Sequence, residues 1–195
     1  MRQITTRRRE KLANVLAMRQ PDLTLVLANI HDPHNVSAIY RSADAFGVTG
    51  IHLYYTNTAF PHLGRKCSAS AQKWVETYRH DSRDALAEAL HAQGCAILAT
   101  SCSPASRPMG EYDLTRPTAI IMGNEHSGVP EELTPIVDGE IYIPMYGMIQ
   151  SFNVSVAAAL LLYEASRQRA LAGMYDSPRY APDEYEKRLS RWVEK

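Results

Sequence analysis

The sequence predicts an α/β fold, a mostly parallel sheet flanked by helices, and three observations carry that expectation. Residues 23–30, 95–100 and 118–122 are apolar at nearly every position, as strands buried on both faces are. Segments with apolar residues at helical spacing separate the strand runs. Polar loops join strand ends to helix starts, the alternation that a parallel sheet produces.

Residues 5–19 read as a helix, with Leu12, Val15, Leu16 and Arg19 at its spacing and Pro21 ending it. Arg7, Arg8, Arg9 and Lys11 make this the most basic spot in the chain. Such a run suits either a phosphate backbone or a solvated helix face. The strand at 23–30 leads into the loop His31-Asp32-Pro33-His34. Asn35 is then placed to cap a helix whose Val36, Ile39, Ala43 and Phe46 share one face, with Gly47 just past its end. Arg41 lies about 140° around that helix from Val36, at 3.6 residues per turn. It is left to meet a ligand or to pair with Asp44 on the surface.

Residues 50–55 form a second strand, 75–79 a short one, and 82–93 a helix closed by Gly94. Between the strands at 95–100 and 118–122, residues 103–116 read as loop. Pro130 opens a short helix at a favoured early position. Residues 141–143 are a last short strand, stopped by Pro144. A polar loop follows, then an apolar run at 154–162 that reads as a buried helix, capped by Ser151 or Asn153 and ending near Gly173. Residues 174–195 mix Tyr175, Tyr180, Tyr185 and Trp192 with charges and prolines. They suggest a loop and a short helix packed on the domain, a partner or a substrate.

The organisation expected is a basic helix at 1–20, one main domain at 21–174 and a short extension at 175–195. An apolar fraction of 45% in 195 residues is enough for a full core. A formal net charge of zero excludes a globally basic coat but not a local basic patch. Cys67, Cys95 and Cys102 show no zinc spacing, which suits a reduced, cytoplasmic protein. The first twenty residues lack the apolar core of a secretory signal, and no run is long enough for a membrane span.

The common nucleotide motifs are missing: there is no phosphate-cradling P-loop and no dinucleotide glycine fingerprint. There is no nucleophile elbow either. His31, Asp32 and His34 are metal-ligand types, but no helix or hairpin sets their geometry, and no metal is expected. What remains is a constellation at strand C-terminal ends, where α/β proteins bind ligands. It comprises Asn35 and Arg41, Thr100, the stretch 123–128 with Glu125 inside, and Ser151 with Asn153.

Three motifs in register give these residues a family likeness. They are His34-Asn35-Val36-Ser37-Ala38-Ile39-Tyr40-Arg41, then Ile121-Met122-Gly123-Asn124-Glu125-His126-Ser127-Gly128, then the run from Ile143 through Gln150-Ser151-Phe152-Asn153 to Ser155. Over residues 12–174 the chain closely resembles the TrmH-type tRNA (guanosine-2′-O)-methyltransferases of the SPOUT superfamily. The resemblance implies a C-terminal deep trefoil knot near 120–160, a homodimer joined through the knot region and last helix, and S-adenosylmethionine as methyl donor. It implies that Thr100, Met122, Gly123, Ile143, Met148 and Phe152 line the cofactor pocket. The family more often has leucine where this chain has Phe152. The implied reaction is 2′-O-methylation of ribose in tRNA, at the D-loop guanosine at position 18. Another tRNA position, ribosomal RNA, or an RNA-binding protein with a retired site are the alternatives. Arg41, Asn35, Glu125, Ser151 and Asn153 would be the catalytic set, with Arg41 as base or as stabiliser of phosphate and alkoxide. A guanidinium stays protonated in proteins, which favours the second role. Arg7, Arg8, Arg9, Lys11, Arg167 and Arg169 would contact RNA. Family members often carry a longer C-terminal extension than this chain.

Overall fold

The structure, a computed structural model, describes residues 4–61, 71–124 and 127–195. Among these residues seven strands form one sheet, and every pairing is parallel. The strands are β1 (Leu23–Ala28), β2 (Gly50–Tyr54), β3 (Glu76–His80), β4 (Ala96–Thr100), β5 (Arg107–Pro108), β6 (Thr118–Met122) and β7 (Gly139–Tyr142), in the spatial order β3-β2-β1-β6-β4-β7-β5. The helices are α1 (Thr6–Ala17), α2 (Pro33–Ala45), α3 (Arg83–His91), α4 (Val154–Leu171) and α5 (Pro182–Glu194).

The unbroken apolar strands have the reason expected of them. Leu23, Leu25 and Leu27 of β1 face one core with Val36, Ile39 and Ala43 of α2 and Ala158, Leu161 and Leu162 of α4. Val26 and Ala28 face the other core, with Leu86 and Leu90 of α3. Successive side chains leave a strand on opposite faces, so a strand covered twice must be apolar throughout. Beneath the sheet edge, His52 of β2 and His80 of β3 stack with ring planes 13° apart and Nδ1 to Nε2 at 2.9 Å.

Two expectations about local structure change. The segment read as loop at 103–116 contains β5 and a single 3₁₀ turn, Met109–Glu111. The short helix after Pro130 is a 3₁₀ helix, Glu131–Ile136, because Pro135 inside it has no N–H for an α-helical bond.

The chain's last segment packs back on its first. Leu189 and Trp192 of α5 bury against Leu12 and Leu16 of α1, with Trp74 alongside at 5.1 Å from the Trp192 ring. The Tyr185 hydroxyl donates to the Ala13 carbonyl at 2.9 Å. Thus the amphipathic α5 is held by the same domain it leaves.

The apolar run at 154–162 predicts a helix buried on nearly all sides. In α4 only one face is: Ala158, Leu161, Leu162 and Ala165 are buried, whereas Val156, Tyr163 and Leu171 are exposed. The loop before α4 continues the exposed apolar surface through Tyr146, Met148, Ile149 and Phe152. No helix among the described residues is long and apolar enough to cross a membrane.

Candidate active site

The C-terminal ends of β4, β6 and β7 converge on a cleft of ≈ 490 Å³. Thr100 comes from β4, Met122 and Gly123 from β6, Ile141 and Ile143 from β7 and its exit, and Ser151, Phe152 and Asn153 from the loop before α4. The volume lies in the range of small-molecule and cofactor sites. Met122, Ile141 and Leu161 give it an apolar floor, while Thr100, Asn124, Gln150 and Asn153 bring polar groups to its wall. None of the described lining residues carries a formal charge. A ligand there would be held by shape, backbone groups and neutral dipoles.

Gly123 is required by crowding. A Cβ at this position would lie 2.1 Å from the Gly128 carbonyl carbon and 2.3 Å from the Val129 nitrogen. The tight return of the chain is fixed by reciprocal backbone bonds between Asn124 and Gly128, each 3.1 Å. The Asn124 side chain braces it further, accepting from the Ser127 amide at 2.7 Å and donating to Ser127 Oγ at 2.8 Å. Nearby, Thr100 Oγ1 donates to the Ile121 carbonyl at 3.0 Å, tying the end of β4 to β6. Glu125 and His126, within this return, lie outside the described residues.

The other wall of the site starts with a corrected cap. The sequence predicts Asn35 as the N-cap of α2, but Pro33 starts that helix and Asp32 caps it, accepting from the His34 amide at 2.8 Å. Pro at the first helical position has no N–H to leave unsatisfied. The Asn35 carboxamide is thereby directed across the site, where its Oδ1 accepts from Asn153 Nδ2 at 3.0 Å. Of the two candidates for capping α4, Asn153 takes the role: its Oδ1 accepts from the Ser155 amide at 2.8 Å and from Ser155 Oγ at 2.6 Å. One side chain thus fixes the start of α4 with its oxygen and reaches α2 with its nitrogen.

Arg41 lies on the same helix as Asn35, and its side chain is exposed. Its surface-pair alternative is not adopted, because Asp44 is ion-paired with Arg19, 25 residues earlier. Among the described residues no ion pair involves Arg41. A guanidinium that no carboxylate neutralises can meet an anionic ligand.

The remaining sequence-selected residues divide. Arg7, Arg8, Arg9 and Lys11 are all exposed on α1, and Arg8 and Lys11 border a recess floored by Trp74 and Trp192. Arg167 is held by Glu164 through two 2.8 Å bonds, with 48% of its side chain still exposed.

Two residues stand away from their expected places. Met148 does not line the cleft and is 98% exposed. Arg169 does not face solvent: it is completely buried. Its five N–H groups go to the carbonyls of Leu114, Arg116 and Asp22, to Gln20 Oε1 and to the Asp22 carboxylate. A guanidinium has five donors, so none is left for RNA.

Sequence reasoning missed Ser101, Cys102, Met145 and Gln150 in the cleft wall. The first two directly follow Thr100, and the strand-end rule that selected Thr100 could have included them. Met145 and Gln150 lie inside the third family motif, which could have included them, although periodicity and capping single out neither.

The chain is similar to known proteins along its whole length. Residues 22–163 match the model of the SpoU rRNA Methylase family. A tRNA (guanosine(18)-2′-O)-methyltransferase of Thermus thermophilus is 44% identical over 195 residues, covering all of both chains. The crystal structure of the A. aeolicus TrmH/SpoU tRNA modifying enzyme superposes with a TM-score of 0.89 at 38% identity, over 96% of this chain and 95% of that one. The SpoU methyltransferase AviRb from Streptomyces viridochromogenes, solved in complex with the cofactor AdoMet, gives a TM-score of 0.69 at 25% identity, over 80% and 62% of the two chains. A family match that runs from the first strand into α4, and so takes in every wall of the cleft, places this chain in the SpoU rRNA methylase family.

Proposed function

We propose that the protein transfers a methyl group from S-adenosylmethionine to a ribose 2′-hydroxyl of tRNA, that of the D-loop guanosine at position 18. The observation that carries this reading is the Asn153–Asn35 hydrogen bond, which joins the mouth of the cleft to the helix bearing Arg41. The relatives named for that reaction support the substrate. The AdoMet complex of a family member supports the donor.

The cleft fits the donor: its apolar floor suits a flat purine, its polar wall suits ribose and amino-acid groups, and the Gly123 return brings backbone close. Thr100, Met122, Gly123, Ile143 and Phe152 would hold it there. When bound, the sulfonium supplies an electrophilic methyl group and its own leaving group. The chain's residues must then present the hydroxyl and manage its charge, since a neutral hydroxyl is a poor nucleophile. Arg41, exposed and without a carboxylate partner among the described residues, clamps the adjacent phosphate and stabilises the developing alkoxide as the hydroxyl proton passes to water. Asn35 and Asn153 hold the reacting ribose in register with Arg41, and Ser151 and Glu125 complete the site. Proximity and fixed orientation of this kind are a large part of what such a site contributes.

Gripping the RNA falls to Arg7, Arg8, Arg9 and Lys11 of α1, with Arg167 of α4. In this reading residues 21–174 are the transferase unit, and residues 1–20 and 175–195 are appendages to it. The family knot, near 120–160, holds the cleft loops. A second copy of the chain covers the apolar surface left open by Met148, Phe152, Val156 and Tyr163. The protein works in the cytoplasm, where tRNA is modified.

Incubating the purified protein with labelled S-adenosylmethionine and unmodified tRNA tests the reading. Label should enter tRNA and, by nuclease mapping, fall on the D-loop guanosine. Label elsewhere in tRNA, or only in ribosomal RNA, would overturn the position. No transfer to any RNA by a protein that binds RNA would leave a non-catalytic binding protein.

A further inference from the structure

Beside the cleft, at the same edge of the sheet, a second set of side chains joins two loops of the site. Asn29 follows β1 with φ +50°, the positive φ of a non-glycine residue among the described residues, and it is completely buried. Asparagine tolerates this left-handed conformation better than most residues. Its amide N–H continues the sheet by donating to the Tyr54 carbonyl at 2.9 Å. Its side chain brackets Thr56, with Oδ1 accepting from the Thr56 amide at 3.0 Å and Nδ2 donating to Thr56 Oγ1 at 3.4 Å. Thr56 Oγ1 in turn donates to Glu132 Oε1 at 3.0 Å. The Tyr54 hydroxyl donates to the same oxygen at 2.9 Å. The neighbouring Tyr55 hydroxyl donates to the Ile30 carbonyl at 2.9 Å.

These bonds have a direction. Asn29 precedes, by a few residues, the Asp32 cap and Asn35. Glu132 follows, by a few residues, the Gly123–Gly128 return. The end of β2 lies between and is bonded to both. Burial, and the hydrogen bond to Glu132, push the Tyr54 hydroxyl up to about 12, so it remains a donor throughout the neutral range. The backbone at Asn29 is held in a sparsely populated conformation, which persists only where surrounding contacts determine it.

Resting on the proposed transferase reading, we propose that Glu132, acting through Thr56 and Asn29, is a positioning residue for the transfer step. It locks the loop that delivers Asn35 and Arg41 to the loop that walls the cofactor cleft. It touches neither cofactor nor ribose. Its part is to fix the distance between the group that presents the hydroxyl and the cleft that holds the methyl donor. Reaction rates are sensitive to such a distance, whereas cofactor binding to the cleft alone is not.

The test compares Glu132→Ala, Glu132→Gln and Thr56→Val in the full chain by steady-state methyl transfer and by amide hydrogen exchange. Glu132→Ala should lower kcat on the order of 10- to 100-fold, with the KM for S-adenosylmethionine within about threefold of the parent. Glu132→Gln keeps a carbonyl oxygen that can accept from both Tyr54 and Thr56, and should recover most of kcat. Thr56→Val should fall between them. In Glu132→Ala, amides at 30–36 and 127–131 should exchange faster while those of α4 stay as they were. A kcat within twofold of the parent overturns the proposal. So does a loss carried by the cofactor KM, a failure of Glu132→Gln to recover, or faster exchange spread over the whole chain. If the parent transfers no methyl group to any RNA, the transferase reading has failed, and the exchange pattern alone decides whether Glu132 locks the two loops.

Discussion

Two arginines on neighbouring helices show how the two edges of this sheet differ. Arg169, near the end of α4, serves the N-terminal edge: it is buried and spends all five donors on the chain itself. Arg41, in the middle of α2, is exposed, and its nearest sequence partner Asp44 is taken by Arg19. At the N-terminal edge charges are matched by their own chain, as Asp22 is by Arg169 and Arg179 together. Arg41 lies on α2, the helix whose start is bonded to the cleft mouth, and among the described residues no ion pair neutralises it. A saturated edge holds the fold, and an unsaturated one has capacity for a ligand.

Exchanging the two roles by mutation gives the largest effects. Arg41→Ala should reduce methyl transfer by about 10²–10³-fold while leaving the unfolding midpoint nearly unchanged. Arg169→Ala should do the reverse, costing about 3–5 kcal/mol of stability, read by urea unfolding. It leaves the Asp22 carboxylate to Arg179 and takes one donor from each of five acceptors, of which the Asp22 and Arg116 carbonyls keep a bond from Thr118. An Arg169→Ala protein of parental stability would break the comparison.

Gly123→Ala should come next. Its methyl group has no room against Gly128 and Val129, so a loss of about 1–3 kcal/mol is expected, with weaker cofactor binding by calorimetry. The double task of Asn153 can be separated. Asn153→Ala should lose both the cap, worth about 1 kcal/mol, and the bond to Asn35. Asn153→Asp retains a capping oxygen and loses the donor to Asn35, so activity should fall with little change in stability.

The smallest effect is one of pH, and it belongs to the folded frame. Burial, and the neighbouring His80, hold the His52 imidazolium down to about 4, from an ordinary 6.5. His80 is lowered too, mainly by burial. The unfolded chain therefore binds more protons as pH falls below about 6.5, so stability is full above that value and is lost towards pH 4. Urea midpoints at pH 7 and pH 4.5 measure this, and His52→Gln should flatten the slope.

Much of the site was legible because its signals are local. A strand apolar on both faces announces itself, and its end is where ligands bind. Thr100, Gly123, Ile143 and Asn153 followed from that rule and from the motifs. The mistaken cap on α2 is informative. Asp32-Pro33 and Asn35 are both good helix starts, and only the assembled site reveals that Asn35 is needed by Asn153. The surface role expected of Arg169 failed because a charge near a helix end looks alike whether it faces water or three carbonyls and a carboxylate. The reading of α4 as buried all round failed because apolar composition does not say which face the core covers.

The sequence by itself determined the parallel α/β architecture, the positions of the main helices and of the strands other than β5, and a set of candidate residues at strand ends. These follow from periodicity, capping and turn chemistry, which act over a few residues. Tertiary structure decided that Arg169 is consumed while Arg41 has no ion pair among the described residues, and that Asn153 both caps α4 and bridges to Asn35. It also decided that α5 returns to α1, and that Glu132 meets Thr56 and Tyr54 from some 76 and 78 residues away. Those outcomes depend on which long-range partners reach a group first, and a donor or carboxylate can satisfy only a few.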